Sequence, residues 1–391
     1  MTTIHQDGHF PGIVRIKEFS NVKSDGKDIV IGYGGIKRTK RRLIMEDKAK
    51  LFMAVKTPRD VLMAVYDLLE VTRVLWRKHK ILHRDISPNN ILVREKTQYL
   101  EGPVMKDPGD MCFSEFLLNN RTPSTPTTTS ETERNSLKYA TKVILIDFDM
   151  AENQTPILTG TGNPKSRTGT PLWMARLLRA NEYIKADVVA PSIPQLGDGE
   201  QVYRRFLVER LEKFPSNEKE MVFVQPGKLS SSFRHKLRYD AESVFWSMVW
   251  WCIEAQPNGD NKGSKIESGV WMDLTYRKDQ RNSFITNFPT EFLHPEYRQL
   301  ERLLRDMAAL LRGDYDFSED SLRRQDEYLH EAFQRLIYRF LFNNYDQKFI
   351  NQEKSRLPRK VQKSFLMSNR LTSSSDYASP PKVESFESTQ G

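Results

Sequence analysis

The stretch His83-Arg84-Asp85-Ile86-Ser87-Pro88-Asn89-Asn90 sets a carboxylate and, five residues on, a side-chain amide oxygen on one short segment ahead of the apolar run Ile91-Leu92-Val93. A carboxylate so placed can orient a hydroxyl and accept its proton, and an amide oxygen is a ligand that a hard divalent cation takes. A turn between the two would aim both side chains into one cleft. Asp, Asn, Ser and Pro are also ordinary turn residues, so the segment alone admits a purely structural reading. A second element narrows the choice. The apolar residues Val143 to Ile146 end in Asp147-Phe148-Asp149, which mounts another carboxylate at the end of a strand, where a metal ligand is held rigidly. Such a donor set suits phosphoryl transfer, in which positioning and charge stabilisation do most of the work.

Those residues need elements to hold them. Thr57, with Pro58 next and Asp60 three residues on, makes a capping box at a helix start. Leu62, Val65, Leu69 and Trp76 follow at three- and four-residue spacings, which predicts an amphipathic helix to about Lys80, directly before His83. The segment from Tyr239 to Glu254 is apolar nearly all round, as a helix in the middle of a core is. Further helices are predicted at 297–312 and 318–344, so the second half is mainly helical. Residues 10–55 read instead as short strands, GIVRI, DIVIGYGGI and RRLIMED, between polar and glycine turns.

Two regions break this pattern. Within 101–140 the run RTPSTPTTTSETERNS has no hydrophobic residue, and the whole insert is expected to be a disordered loop. Residues 351–391, basic and then Ser-rich with Pro380 and Pro381, are expected to form a disordered tail. The expected division is therefore 1–55, 56–350 carrying the insert, and 351–391.

A chain of 391 residues, 38% hydrophobic and 28% charged, is long enough to bury a sizeable core. It contains no apolar run of the roughly 18 residues that crossing a bilayer needs, and MTTIHQDGHF lacks the features of a secretory leader. Two cysteines, Cys112 and Cys252, build neither a disulfide framework nor a zinc site. An intracellular setting, cytoplasmic or nuclear, is expected. The net charge of +9 is scattered, which argues against nucleic acid as a partner. The run Lys37, Arg38, Lys40, Arg41 and Arg42 reads as a solvated strand edge, with a nuclear-import signal as the alternative.

Taken in order, HRDIS, LIDFDMA, RTGTPLWMA and the Asp-x-Glu-Ser-x-Phe-Trp pattern from Asp240 resemble the fungal-type protein kinase family over about residues 40–255. The resemblance implies a protein-kinase-like α+β fold, with a mainly helical C-lobe and a truncated β-rich N-lobe. It implies ATP and Mg2+ as cofactors and a protein substrate, with Asp85 as catalytic base and Asn90 and Asp147 holding metal and nucleotide. Residues 167–175 would be the end of the activation segment, where substrate docks, and Thr170 would hydrogen-bond the catalytic aspartate. Asp240 would reach back to the backbone of residues 83–85, although a helix-start aspartate is equally a cap. Arg84, preceding Asp85, implies a phosphate on the activation segment, with Thr159, Thr161, Ser166 and Thr168 as candidates.

The departures matter as much. Asp149 stands where the family motif has glycine, and Arg176 and Leu177 stand where proline and glutamate are expected, which removes a structural ion pair. Ser87 replaces the lysine of most serine/threonine kinases, which leaves the acceptor hydroxyl open. A glycine-rich loop and its lysine are also expected of a kinase. Gly32-Tyr33-Gly34-Gly35 and Lys56 are a decoy for them, since Lys56 lies only 29 residues before Asp85 and a helix fills that interval. The alternatives to a kinase are a non-catalytic pseudokinase scaffold and a small-molecule phosphotransferase.

Overall fold

The computed structural model describes residues 4–33, 36–98, 105, 108–121, 137–159, 168–180, 189–216, 221–222, 234–260, 265–275, 280–289, 291–313, 315, 318 and 320–361. Strands β1 (Ile16–Asn21), β2 (Lys23–Ser24), β3 (Lys27–Asp28), β4 (Val30–Tyr33), β5 (Ile36–Thr39) and β6 (Arg41–Met45) form antiparallel pairs, β1 with β6, β2 with β3 and β4 with β5. Asp25 and Gly26, at φ 49° and 77°, close the two-residue turn between β2 and β3 as a right-twisting hairpin requires.

Residues ahead of position 55 also contribute to the main core. Phe10, Ile13 and Phe52 are buried in the main core, and β7 (Lys50–Leu51) joins the sheet that carries the site. GIVRI is accordingly not a strand over its length. Gly12 adopts φ 80° and its carbonyl accepts from Leu145 N at 2.8 Å, which folds residues 10–14 onto the core.

Helix α1 (Pro58–His79) starts where the capping box places it. Thr57 Oγ1 accepts from Asp60 N at 3.1 Å and donates to the Asp60 carboxylate at 3.0 Å, and the helix ends at Lys80 in the left-handed region. After it come β8 (Ile81–Leu82), β9 (Ile91–Gln98), α2 (Ser114–Asn119), β10 (Thr141–Leu145), β11 (Glu152–Asn153), α3 (Thr155–Leu158) and α4 (Arg176–Ala180). The order β10-β9-β7 makes one sheet, and β11 pairs with β8.

Among the described residues after α4, the regular elements are helical apart from the pair β12 (Val189–Ala190) and β13 (Met221–Val222). Those helices are α5 (Glu200–Lys213), α6 (Leu237–Glu254), α7 (Ser268–Thr275), α8 (Gln280–Asn287), α9 (Glu301–Leu310) and α10 (Tyr328–Asn343). Helix α1 packs against α6, α10 and β10, and α6 is buried from Leu237 to Ile253. Burial of each large aliphatic side chain there contributes about 1.5–3 kcal/mol. The helix predicted from 318 begins only at Tyr328. Ser318 Oγ accepts from Asp320 N at 3.3 Å and the Asp320 carboxylate from Leu322 N at 2.9 Å, local bonds that compete with a helix. The one predicted at 297–312 is a 3-10 turn at Pro295–Leu300 running into α9.

Both regions expected to be disordered are structured where they are described. In the insert, Met111, Cys112, Phe113, Phe116, Leu117 and Leu118 are buried in the main core. Asp110 meets Arg73 at 3.1 Å and Arg210 at 2.7 Å, while Ser114 N donates to Asp67 at 2.9 Å. Residues 122–136 lie outside the described residues. At the other end, Lys354 bridges Pro257 and Val361 bridges Ile266. The buried Arg359 donates to the carbonyls of Ile253 at 3.3 Å and Phe292 at 2.6 Å, so residues 351–361 belong to the helical body. Residues 362–391 lie outside the described residues. Among the described residues no helix is long and apolar enough to cross a membrane, and both cysteines are buried free thiols.

Candidate active site

The turn from His83 to Asn90 connects β8 to β9, and a dense set of backbone contacts holds it. The Asp240 carboxylate, 2% exposed in the first turn of α6, accepts from His83 N at 3.0 Å and Arg84 N at 3.1 Å. Burial by itself raises the Asp240 pKa, but the His235 ring 3.6 Å away and the bonded His83 amide outweigh it, so the carboxyl sits below its ordinary value. Of the two readings of this aspartate, the bridge to residues 83 and 84 is the one present. No side-chain cap hydrogen bond closes the start of α6.

His83 links the turn to the second carboxylate. Its Nε2 lies 2.9 Å from the Ile146 carbonyl and its Nδ1 3.3 Å from Asp85 N, which selects the tautomer with the proton on Nε2. Burial lowers the pKa of this ring, in keeping with a neutral imidazole. Ile146 N donates to the Asn90 carbonyl at 3.0 Å, and Ile91, Leu92 and Val93 pair with Leu145, Ile144 and Val143. The β9–β10 register therefore delivers Asp147 beside the turn that carries Asp85 and Asn90. The His83 and Phe148 rings meet edge to face at 4.9 Å.

Asp85 is positioned through both of its oxygens. Thr170 donates to Oδ1 from its backbone N at 2.7 Å and from Oγ1 at 2.8 Å. Asn90 Nδ2 donates to the Asp85 carbonyl at 2.9 Å and reaches Oδ2 at 3.3 Å. With its amide nitrogen so engaged, Asn90 keeps its Oδ1 for another partner. Asp147 is exposed, accepts no hydrogen bond among the described residues, and adopts φ 61°. Positive φ falls at Asp147 rather than at Asp149, and a second such non-glycine residue, Arg84 at 69°, lies in the turn that carries Asp85.

An amide oxygen and a free carboxylate are hard donors. Among the described residues no cluster of three or more His, Cys, Asp or Glu side chains is arranged for a metal. Two oxygen donors fit an ion that arrives with phosphates and keeps water, as Mg2+ does, better than one caged by protein alone.

The stretch expected to end the activation segment is described from Thr168 on, and Arg167 lies outside the described residues. Gly169 adopts φ 131° with its Cβ position 3.1 Å from the Arg84 carbonyl, so the approach of Thr170 to Asp85 depends on the missing side chain. Thr170 O accepts from Trp173 N at 2.9 Å and Met174 N at 3.0 Å, which folds the segment into a turn.

Three sets of contacts that support this arrangement were not foreseen. Arg176, read as the loss of an ion pair, makes one: its Nε lies 2.7 Å from Glu242, which also accepts from Arg176 N at 2.9 Å and Trp246 Nε1 at 3.1 Å. Glu242 stands inside the Asp-x-Glu-Ser pattern, so its position was visible although its partner was not. The buried Arg281 donates to the carbonyls of Met174, at 2.7 Å, and Leu172. Glu152 pairs with Arg84 at 3.1 Å, both side chains being almost fully buried.

Lys56 is where the sequence placed it, ahead of the helix cap, exposed and 3.4 Å from Glu353. Among the described lysines before α1, those that pair with a carboxylate, Lys50 and Lys56, meet Glu95 on β9 and Glu353, neither of which is on a helix.

Residues 15–252 match the family described as fungal protein kinase. No curated protein matches the chain. Among solved structures, the crystal structure of the yeast RNA Pol II CTD kinase CTDK-1 complex is similar at 13% identity, over 84% of this chain and 77% of that chain, with a TM-score of 0.27. An overlay that loose adds nothing to the argument.

Proposed function

The chain belongs to the fungal protein kinase family, with an α+β, protein-kinase-like fold and a mainly helical C-lobe, and from that premise we propose that it transfers the γ-phosphoryl group of ATP to a protein hydroxyl, serine or threonine favoured. Asp85 is the base that orients the acceptor and takes its proton. Asn90 Oδ1 and the Asp147 carboxylate would hold Mg2+, and residues 167–175 would present the substrate. When bound, ATP with Mg2+ supplies the phosphoryl group and the charge neutralisation that transfer needs. The observation that carries the reading is Asp85, bonded by Thr170 at 2.7 and 2.8 Å on a turn that Asp240 anchors through two amides. A hydroxyl that docks beside Thr170 meets a carboxylate already aimed.

The lysine pairs just described favour a second reading, a non-catalytic scaffold, because no lysine before α1 is paired with a helix glutamate among the described residues. Thermal shift with ATP and Mg2+, run on wild type and Asp147→Asn, separates the two. A magnesium-dependent rise in melting temperature that the variant abolishes supports the kinase. No rise in either protein refutes the nucleotide site and leaves the scaffold.

A further inference from the structure

We infer that Glu152 is a positioning residue for the catalytic turn, acting through Arg84 in the place that a phosphate on the activation segment would otherwise fill; the inference rests on the kinase reading of this same site. Arg84 is held through its backbone and its side chain. Its N–H donates to Asp240 at 3.1 Å, and its guanidinium meets Glu152 Oε2 at 3.1 Å. Side-chain exposure is 2% for Arg84 and 6% for Glu152, so the pair is shielded from water and little screened. The carboxylate is built in: β11 pairs with β8 so that Glu152 stands opposite Leu82, two residues before Arg84, and Gln154 Nε2 donates at 2.5 Å to the same oxygen, Oε2, that Arg84 meets.

Arg84 has a positive φ, which an arginine adopts only where its surroundings impose it. Asp85 follows directly, so the guanidinium anchor fixes the direction in which the base leaves the turn. A phosphoryl group brought here would carry a charge of about −1.5 to −2 against the Glu152 carboxylate in a sealed pocket. Like charges there repel. Of the candidate acceptors, Thr159 is exposed and its hydroxyl donates to the Thr155 carbonyl at 3.0 Å, Thr168 is half-buried two residues before Thr170, and Thr161 and Ser166 lie outside the described residues. Glu152 therefore makes the phosphate unnecessary, and the turn is assembled in the unmodified chain.

Amide exchange on phosphatase-treated protein, verified by mass to carry no phosphate, tests this directly. The amides of Arg84 and Thr170 are expected to stay protected in wild type, and ATP turnover, read as ADP release, to stay within about twofold of the untreated protein. Glu152→Gln is expected to speed exchange at those amides at least tenfold and to lower kcat at least tenfold with the ATP dissociation constant little changed. Protection along Val244 to Ile253 of α6 reports that the variant is folded. Free exchange at Arg84 and Thr170 in dephosphorylated wild type overturns the inference whether or not the variant folds, as does a variant equal to wild type. A wild type that is protected but turns over no ATP supports the role of Glu152 and refutes the kinase reading.

Discussion

Replacement of Asp240 by alanine gives the sharpest test of how the catalytic turn is held. The carboxylate is 2% exposed and accepts from two amides, His83 N at 3.0 Å and Arg84 N at 3.1 Å. Hydrogen bonds to a charged acceptor contribute about 1.5–3 kcal/mol each, and a buried donor left without a partner costs about 1–3 kcal/mol. Two such amides put the loss at about 4 kcal/mol, a fall of about 5 °C in melting temperature for a chain of this size. Asp240→Asn keeps one acceptor oxygen and turns a donor toward the other amide, so it should lose about half as much. Urea unfolding of the three proteins measures this, with an unchanged m-value showing that the unfolded state is the same. Amide exchange over residues 83–85 should rise in both variants ahead of global unfolding. A loss under about 1 kcal/mol for Asp240→Ala, with exchange at His83 and Arg84 unaltered, would refute the anchor.

Other perturbations probe separate contacts. Thr170→Val removes the 2.8 Å hydroxyl bond to Asp85 but keeps the amide bond, and should slow ATP turnover about tenfold, equivalent to about 1.4 kcal/mol, while Thr170→Ser stays near wild type. Gly169→Ala puts a Cβ 3.1 Å from the Arg84 carbonyl at φ 131°, and should cost about 1–3 kcal/mol in denaturant unfolding together with lost turnover. His330 is buried with Nε2 3.1 Å from Thr72 Oγ1, and burial lowers its pKa from 6.5 to about 4. Between those values the unfolded chain binds a proton that the folded chain does not, so stability rises with pH across the window, by about 3 kcal/mol in all. Unfolding of wild type and His330→Gln at pH 4.5 and 7.5 should show that this part of the pH dependence is missing from the variant.

Local chain chemistry carried a good part of the site. Thr57, Pro58 and Asp60 made the start of α1 legible because a cap is a bond between residues three apart. Asp85 and Asn90 were legible for the same reason: their spacing on one turn brings them within reach wherever that turn lies. The insert shows where composition misleads. The run of threonines and serines at 121–136 dominated a forty-residue window and hid Met111 to Leu118, whose apolar side chains fill the core beside Asp67 and Glu70. Ser318 and Asp320 misled in the opposite direction, since helical spacing continued through residues whose side chains bond the local backbone.

What local chemistry did not contain is who answers whom across the chain. The order of motifs fixed the family and its mainly helical body, because periodicity, caps and turn residues act over a few positions. Arg176 looked like a lost ion pair and Arg84 like a call for phosphate, since each was read by its neighbours in sequence. Folding set Glu242 against the first and Glu152 against the second. A buried arginine must be matched by an acceptor, but which carboxylate supplies it is decided by strand pairing and helix packing, and those are properties of the assembled core alone.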